Sequence, residues 1–136
     1  MLEKIIIDNR LVALIMRSTA EVTSSTFFSP PELNFQMSIF KREKDFVEKP
    51  HFHKKVIRKI DRVEQFLYIL EGQMRVDFFD KKGILTKTKR IKKGDSILII
   101  RGIHGIKMIS NCKAISIKQG PFLGDLNDKI EVKTYK

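Results

Sequence analysis

Residues 65–80 run Gln65-Phe66-Leu67-Tyr68-Ile69-Leu70-Glu71-Gly72-Gln73-Met74-Arg75-Val76-Asp77-Phe78-Phe79-Asp80. Successive side chains of a strand point to opposite faces, so the second half, with Met74, Val76 and Phe78 alternating against Arg75 and Asp77, reads as a strand with one apolar face. The first half is apolar on both faces up to Glu71. Gly72 between them has the freedom to adopt a positive φ and reads as the turn of a hairpin. Asp80-Lys81-Lys82-Gly83 reads as the next turn.

The same grammar continues in both directions. Downstream, Ile84 to Ile91 is followed by a tight turn at Lys93-Gly94-Asp95, a buried strand at Ser96 to Ile100, and a break at Gly102. His104 to Ser110 and Lys113 to Lys118 read as a last hairpin, and the tail from Gly120 holds a short polar strand. Upstream, Asn34 to Lys41 alternates with Phe35, Met37 and Ile39 on one side, and a second alternating stretch runs from His51-Phe52-His53 to about Arg62. Lys4 to Ile7 and Leu11 to Arg17 form a candidate hairpin turning at Asp8-Asn9. Short strands separated by turn signals predict an antiparallel all-β sandwich or barrel with little helix. Its interior is expected to take Leu67, Ile69, Met74, Val76, Phe78, Ile97, Ile99, Ile106 and Met108.

The 136 residues are enough for one domain with a real core, divided into N-terminal strands (1–33), the barrel core (34–120) and a C-terminal tail (121–136). The longest apolar run, Leu11 to Met16, is far short of the roughly 20 residues of a membrane span. The start has no basic head, long apolar middle or cleavage site, so a cytoplasmic protein without a membrane partner is expected. One cysteine, Cys112, excludes an internal disulfide and reads as small apolar filler. The net charge of +11 favours anionic partners. Its densest groups, Lys54-Lys55 and Lys87 to Lys93, lack the aromatic interleaving that stacks bases, so nucleic acid is not the expected ligand.

There are three histidines. On a strand, His51 and His53 would project from one face, and imidazole is a common neutral ligand for divalent metals. His104 follows a buried strand and a glycine, where a sheet bends and a side chain can aim inward. The order His51-Phe52-His53, then Gln65 to Gly72, then Gly94-Asp95 and Gly102-Ile103-His104 resembles the two motifs of the cupin superfamily. The resemblance spans about Asn34 to Gly120 and is nearest to small single-domain bacterial cupins. It implies an antiparallel double-stranded β-helix, or jelly-roll, barrel with His51, His53 and His104 converging on an interior pocket.

Three departures stand out. Gln65 occupies the slot of the family's metal-ligand glutamate, with Glu64 beside it on the opposite strand face. The gap between His53 and Gln65 is long, and Ile100 replaces the second motif's proline, with His104 one residue early. An amide is a poorer ligand than a carboxylate. The resemblance thus implies either a divalent ion (Zn, Fe, Mn or Ni) held by His51, His53, His104 and Gln65, or a metal-free pocket. In metal-free sugar-nucleotide isomerases of this superfamily an H-x-H histidine is the acid/base and glutamine can fill the glutamate slot, so His51 or His53 becomes the candidate base. Gln36 and Arg58 are candidate ligand-binding residues. The expected function is a cupin acting on an anionic, nucleotide-linked sugar, as isomerase, epimerase or accessory protein. A metal-dependent dioxygenase or isomerase and a non-enzymatic binding module are the alternatives. A homodimer is expected, because Phe66, Tyr68 and Leu70 would make an apolar outer face.

Overall fold

The structure, a computed structural model, describes residues 2–136. The chain is all-β and antiparallel apart from one short helix. The first hairpin pairs β1 (Leu2–Ile7) with β2 (Arg10–Met16) and turns at Asp8 and Asn9, whose φ angles of 49° and 60° are both left-handed. Such turns match the twist of the strands they join, and Asp and Asn tolerate that region better than most residues.

From there β3 (Thr26–Phe27) and β4 (Ser38–Ile39) make a small ribbon. Then follow β5 (Gln65–Glu71), β6 (Gln73–Phe79), β7 (Leu85–Lys92), β8 (Ser96–Ile99), β9 (Ile103–Met108), β10 (Lys113–Lys118) and α1 (Asp125–Asp128). One sheet has the order β1-β2-β8-β5-β10, and a second has β7-β6-β9. No strand is shared between them, so the expected barrel is not closed: the fold is two antiparallel sheets enclosing a core.

Two expected hairpins are corners instead. β5 belongs to the larger sheet and β6 to the smaller, so Gly72 carries the chain across the core rather than back along its own sheet. Likewise β9 and β10 lie in different sheets. Gly94 makes the return crossing from β7 to β8, and among the consecutive strands from β5 to β10 only β6 and β7 pair as a hairpin, turning at Asp80–Gly83. The corner at Gly72 needs glycine for two reasons: φ is +73°, and a Cβ would stand 1.9 Å from the Asn111 carbonyl oxygen.

The core has two layers. Between the sheets lie Ile5, Ala13, Ile15, Leu67, Ile69, Ile97 and Ile99 from one side and Met74, Val76, Phe78 and Ile91 from the other. On the outer face of the larger sheet, Leu14, Met16, Leu98 and Ile100 are covered by Leu33, Met37, Phe28 and Phe35. This second layer explains why Leu11 to Met16 and Ile97 to Ile100 are continuously apolar: each strand is buried on both faces.

Two of the expected interior residues are corrected. Ile106 is 38% and Met108 53% exposed, because β9 is the edge of the smaller sheet, with β6 as its one strand partner among the described residues. Two expected strands are also absent. Residues 34–41 contribute only Ser38–Ile39, and residues 51–62 have no regular structure. In the tail, Tyr135 bridges Ile84 in parallel, its amide donating to the Gly83 carbonyl at 2.8 Å. Among the described residues no helix is long and apolar enough to cross a membrane.

Candidate functional site

The two sheets part at one end of the core, and the walls of the opening hold a cavity of about 530 Å³. Small-molecule sites commonly occupy roughly 300–1,000 Å³. Gln65 opens β5, Lys118 ends β10, and the two are register partners whose side chains share a face. His104 enters from β9, opposite Phe78. Arg62, Arg101, Gln119 and Phe122 complete the parts of the lining that carry chemistry, with Asp128 and Lys129 at the rim. Four cationic side chains therefore meet one carboxylate.

Three of the lining residues keep a buried nitrogen without a partner among the described residues. Among the described residues, four buried side-chain atoms lack a hydrogen-bond partner, and three of them are Arg62 Nε, Arg101 Nε and Gln119 Nε2. All three residues line this cavity. The Gln119 amide cannot be turned to hide its nitrogen, because its oxygen accepts the Glu64 N–H at 2.8 Å. Arg62 pairs with Asp61 and with the fully buried Glu64, whereas Arg101 makes no salt bridge among the described residues. Burial, then the neighbouring Arg62 and Arg10 guanidiniums, hold Arg101 below the ordinary arginine value. Its charge is thus poorly compensated, and an anion would compensate it.

The residues singled out from sequence separate into three places. Gln65 and His104 line the cavity, where the Gln65 amide donates to Ser116 Oγ at 3.0 Å. The Nδ1 of His104 lies 3.0 Å from the Gly102 carbonyl. A carbonyl only accepts, so that contact puts the proton on Nδ1 and leaves Nε2 as the acceptor in the neutral ring. His51 and His53 stand together on the exposed segment 51–60, their ring centroids 5.4 Å apart, and neither lines this cavity. His51 donates from Nδ1 to the Lys49 carbonyl at 2.8 Å. Arg58 is exposed on the same segment. The Gln36 amide nitrogen is taken by the Pro30, Pro31 and Leu33 carbonyls, which makes it a loop staple.

The metal set expected from the resemblance is not gathered around one point. Among the described residues no three His, Cys, Asp or Glu side chains are grouped so as to hold an ion. The missing strand is the physical cause for His51 and His53: without regular structure over 51–62, nothing turns their shared face toward the core. Arg62, Arg101, Lys118 and Gln119 went unrecognised in the sequence. Only Arg101 carried a local signal, as a cation directly after a fully apolar buried strand. A scan of family models and searches of curated proteins and of solved structures found nothing that matches this chain.

Proposed function

We propose that the protein is a cupin-like jelly roll that binds a small anionic molecule, of the nucleotide-linked sugar class, at the open end between its sheets. The observation that carries this reading is the concentration of unpartnered donors: among the described residues, three of the four orphaned buried atoms belong to residues of one cationic cavity. Buried donors are nearly always satisfied, so a cluster of unsatisfied ones calls for an acceptor. Phosphate oxygens suit it, since guanidinium nitrogens bond them with charge assistance. The crossing of successive strands between two sheets supports the jelly-roll assignment, as does the order of the cupin-like motifs.

The test is a thermal-shift series with nucleoside-diphosphate sugars, inorganic diphosphate and neutral sugars. The nucleotide sugars should raise the melting temperature, by an amount corresponding to about 2.7 kcal/mol at a hundredfold excess over Kd, and neutral sugars should not. Arg101→Gln should weaken binding about tenfold or more, as expected for a charged hydrogen bond. Equal shifts for charged and neutral ligands, or an unchanged Kd in Arg101→Gln, would remove the reading.

His104 favours a second reading, in which the bound sugar exchanges a proton next to a carbonyl. With Nδ1 donating to the Gly102 carbonyl, the neutral ring offers Nε2 to the cavity as a base. His104→Gln should then retain ligand binding while abolishing solvent deuterium incorporation into the ligand, followed by NMR. Self-association is proposed through the uncovered part of the outer sheet face, where Tyr68, Ile115 and Ile117 remain 38–49% exposed. Light scattering at micromolar concentration checks it.

A further inference from the structure

Between the ribbon and β5 the chain leaves the body of the protein. No hydrogen bond among the described residues ties 47–60 to anything outside that stretch. Residues 51–60 are all exposed. Long unstructured connections within a compact fold are commonly functional. This one is chemically unusual, because the apolar side chains it holds in water are large: Phe52 is 88%, Ile57 90%, Val56 57% and Ile60 51% exposed. Interleaved with them are Lys54, Lys55, Arg58 and Lys59, and between His51 and Ile60 there is no carboxylate. Contiguous exposed apolar groups mark a docking surface.

The composition chooses among occupants. A second copy docking on the same segment would set four cations against four cations, with no carboxylate within 51–60 and only Glu48 and Asp61 at its ends. A nucleic acid would satisfy the charge and could stack on the Phe52 ring, but Val56, Ile57 and Ile60 offer no ring to stack on and would stay in water. A bilayer with anionic headgroups satisfies both components: apolar side chains enter the headgroup–acyl boundary while lysine and arginine stay at the negative surface. We propose that residues 51–60 dock the protein peripherally on an anionic lipid surface. This is a contact made by a loop on one leaflet and needs no spanning segment. It stands independently of the cavity, so either proposal can fail without the other.

The experiment is vesicle co-sedimentation of the full chain. Phosphatidylcholine vesicles are compared with vesicles containing phosphatidylglycerol, and circular dichroism and melting temperature serve as controls of the fold. The protein should pellet with the phosphatidylglycerol vesicles and stay in solution with phosphatidylcholine alone. Each cation removed near the surface should cost roughly fivefold in partitioning, so K54E/K55E should abolish detectable pelleting. Phe52→Ser with Ile57→Ser leaves every charge in place and should lower partitioning about tenfold or more. These side chains are in water, so the melting temperature should not move. Failure to pellet with anionic vesicles overturns the proposal, as does pelleting unaffected by F52S/I57S. So does binding of an RNA oligonucleotide that requires Phe52 and Ile57 in the absence of vesicle binding.

Discussion

Glu64 shows how much one buried carboxylate can organise. It is fully buried and accepts the Asn34 N–H at 3.1 Å, the Phe35 N–H at 2.9 Å and Arg62 Nη2 at 2.8 Å. It thereby ties the segment that covers the outer face of the larger sheet to the start of β5, and holds Arg62 at the cavity wall. Glu64→Ala leaves two amides and a guanidinium without their acceptor, and should cost about 3–5 kcal/mol in urea unfolding. The sequence placed Glu64 on the face opposite Gln65, and that parity is why it reaches the outer layer while Gln65 reaches the cavity. A second carboxylate gives a pH signature. Glu3 bonds Lys89 Nζ at 2.8 Å and Arg17 Nε at 2.7 Å, and these two partners, Lys89 first, hold it below the ordinary glutamate value of 4.5. A depressed folded value means that Glu3 stabilises the fold above pH 4.5 and that this contribution is lost as pH falls through the lowered folded value. Melting curves of wild type and Glu3→Gln should therefore differ at pH 6 and converge in acid. Because the pair is partly exposed, the difference should be about 1 kcal/mol or less and should shrink in salt.

At the scale of elements, the corners distinguish this fold from a meander of hairpins. A turn glycine carries the same local signal whether the next strand pairs with the last or crosses to another sheet; the outcome depends on which strand each apolar face finds. For β5 the partners are β8 and β10, with Leu67 opposite Ile97 and Phe66 opposite both Leu98 and Ile117. Those pairings hydrogen-bond both edges of β5 within the larger sheet and turn Leu67 and Ile69 into the core. Gly72→Ala should be severely destabilising, by about 3 kcal/mol or more, since it combines a left-handed backbone with a clash against backbone. Gly120→Ala, where a Cβ meets nothing within 4 Å and φ is not positive, should change the unfolding midpoint little. Equal effects from the two would mean that the corner at Gly72 does not have this geometry.

Across the whole molecule, burial is uneven. β2 and β8 are buried on both faces, β7, β9 and β10 are sheet edges, and residues 51–60 are wholly in water. Native-state hydrogen exchange should place the slowest amides on β2, β8 and the middle of β5, with β9 and β10 opening at lower free energy and 51–60 unprotected. Uniform protection over β9 and β10 would argue for a closed barrel. What the sequence determined by itself was local: the periods of the strands from β5 to β8, the turns at Asp8-Asn9, Gly72 and Gly94, and the all-β antiparallel class. These follow from sterics and from a side-chain period of two, which act over a few residues. Only the tertiary structure decided that the turns at Gly72 and 109–112 are corners, that the sheets stay open beside β9, and that His51 and His53 stand on an exposed loop. It also decided that Arg62, Arg101 and Gln119, separated by up to 57 positions, line one cavity. The reason is that sheet order and convergence are set by long-range competition among apolar faces, and no window of sequence contains both competitors.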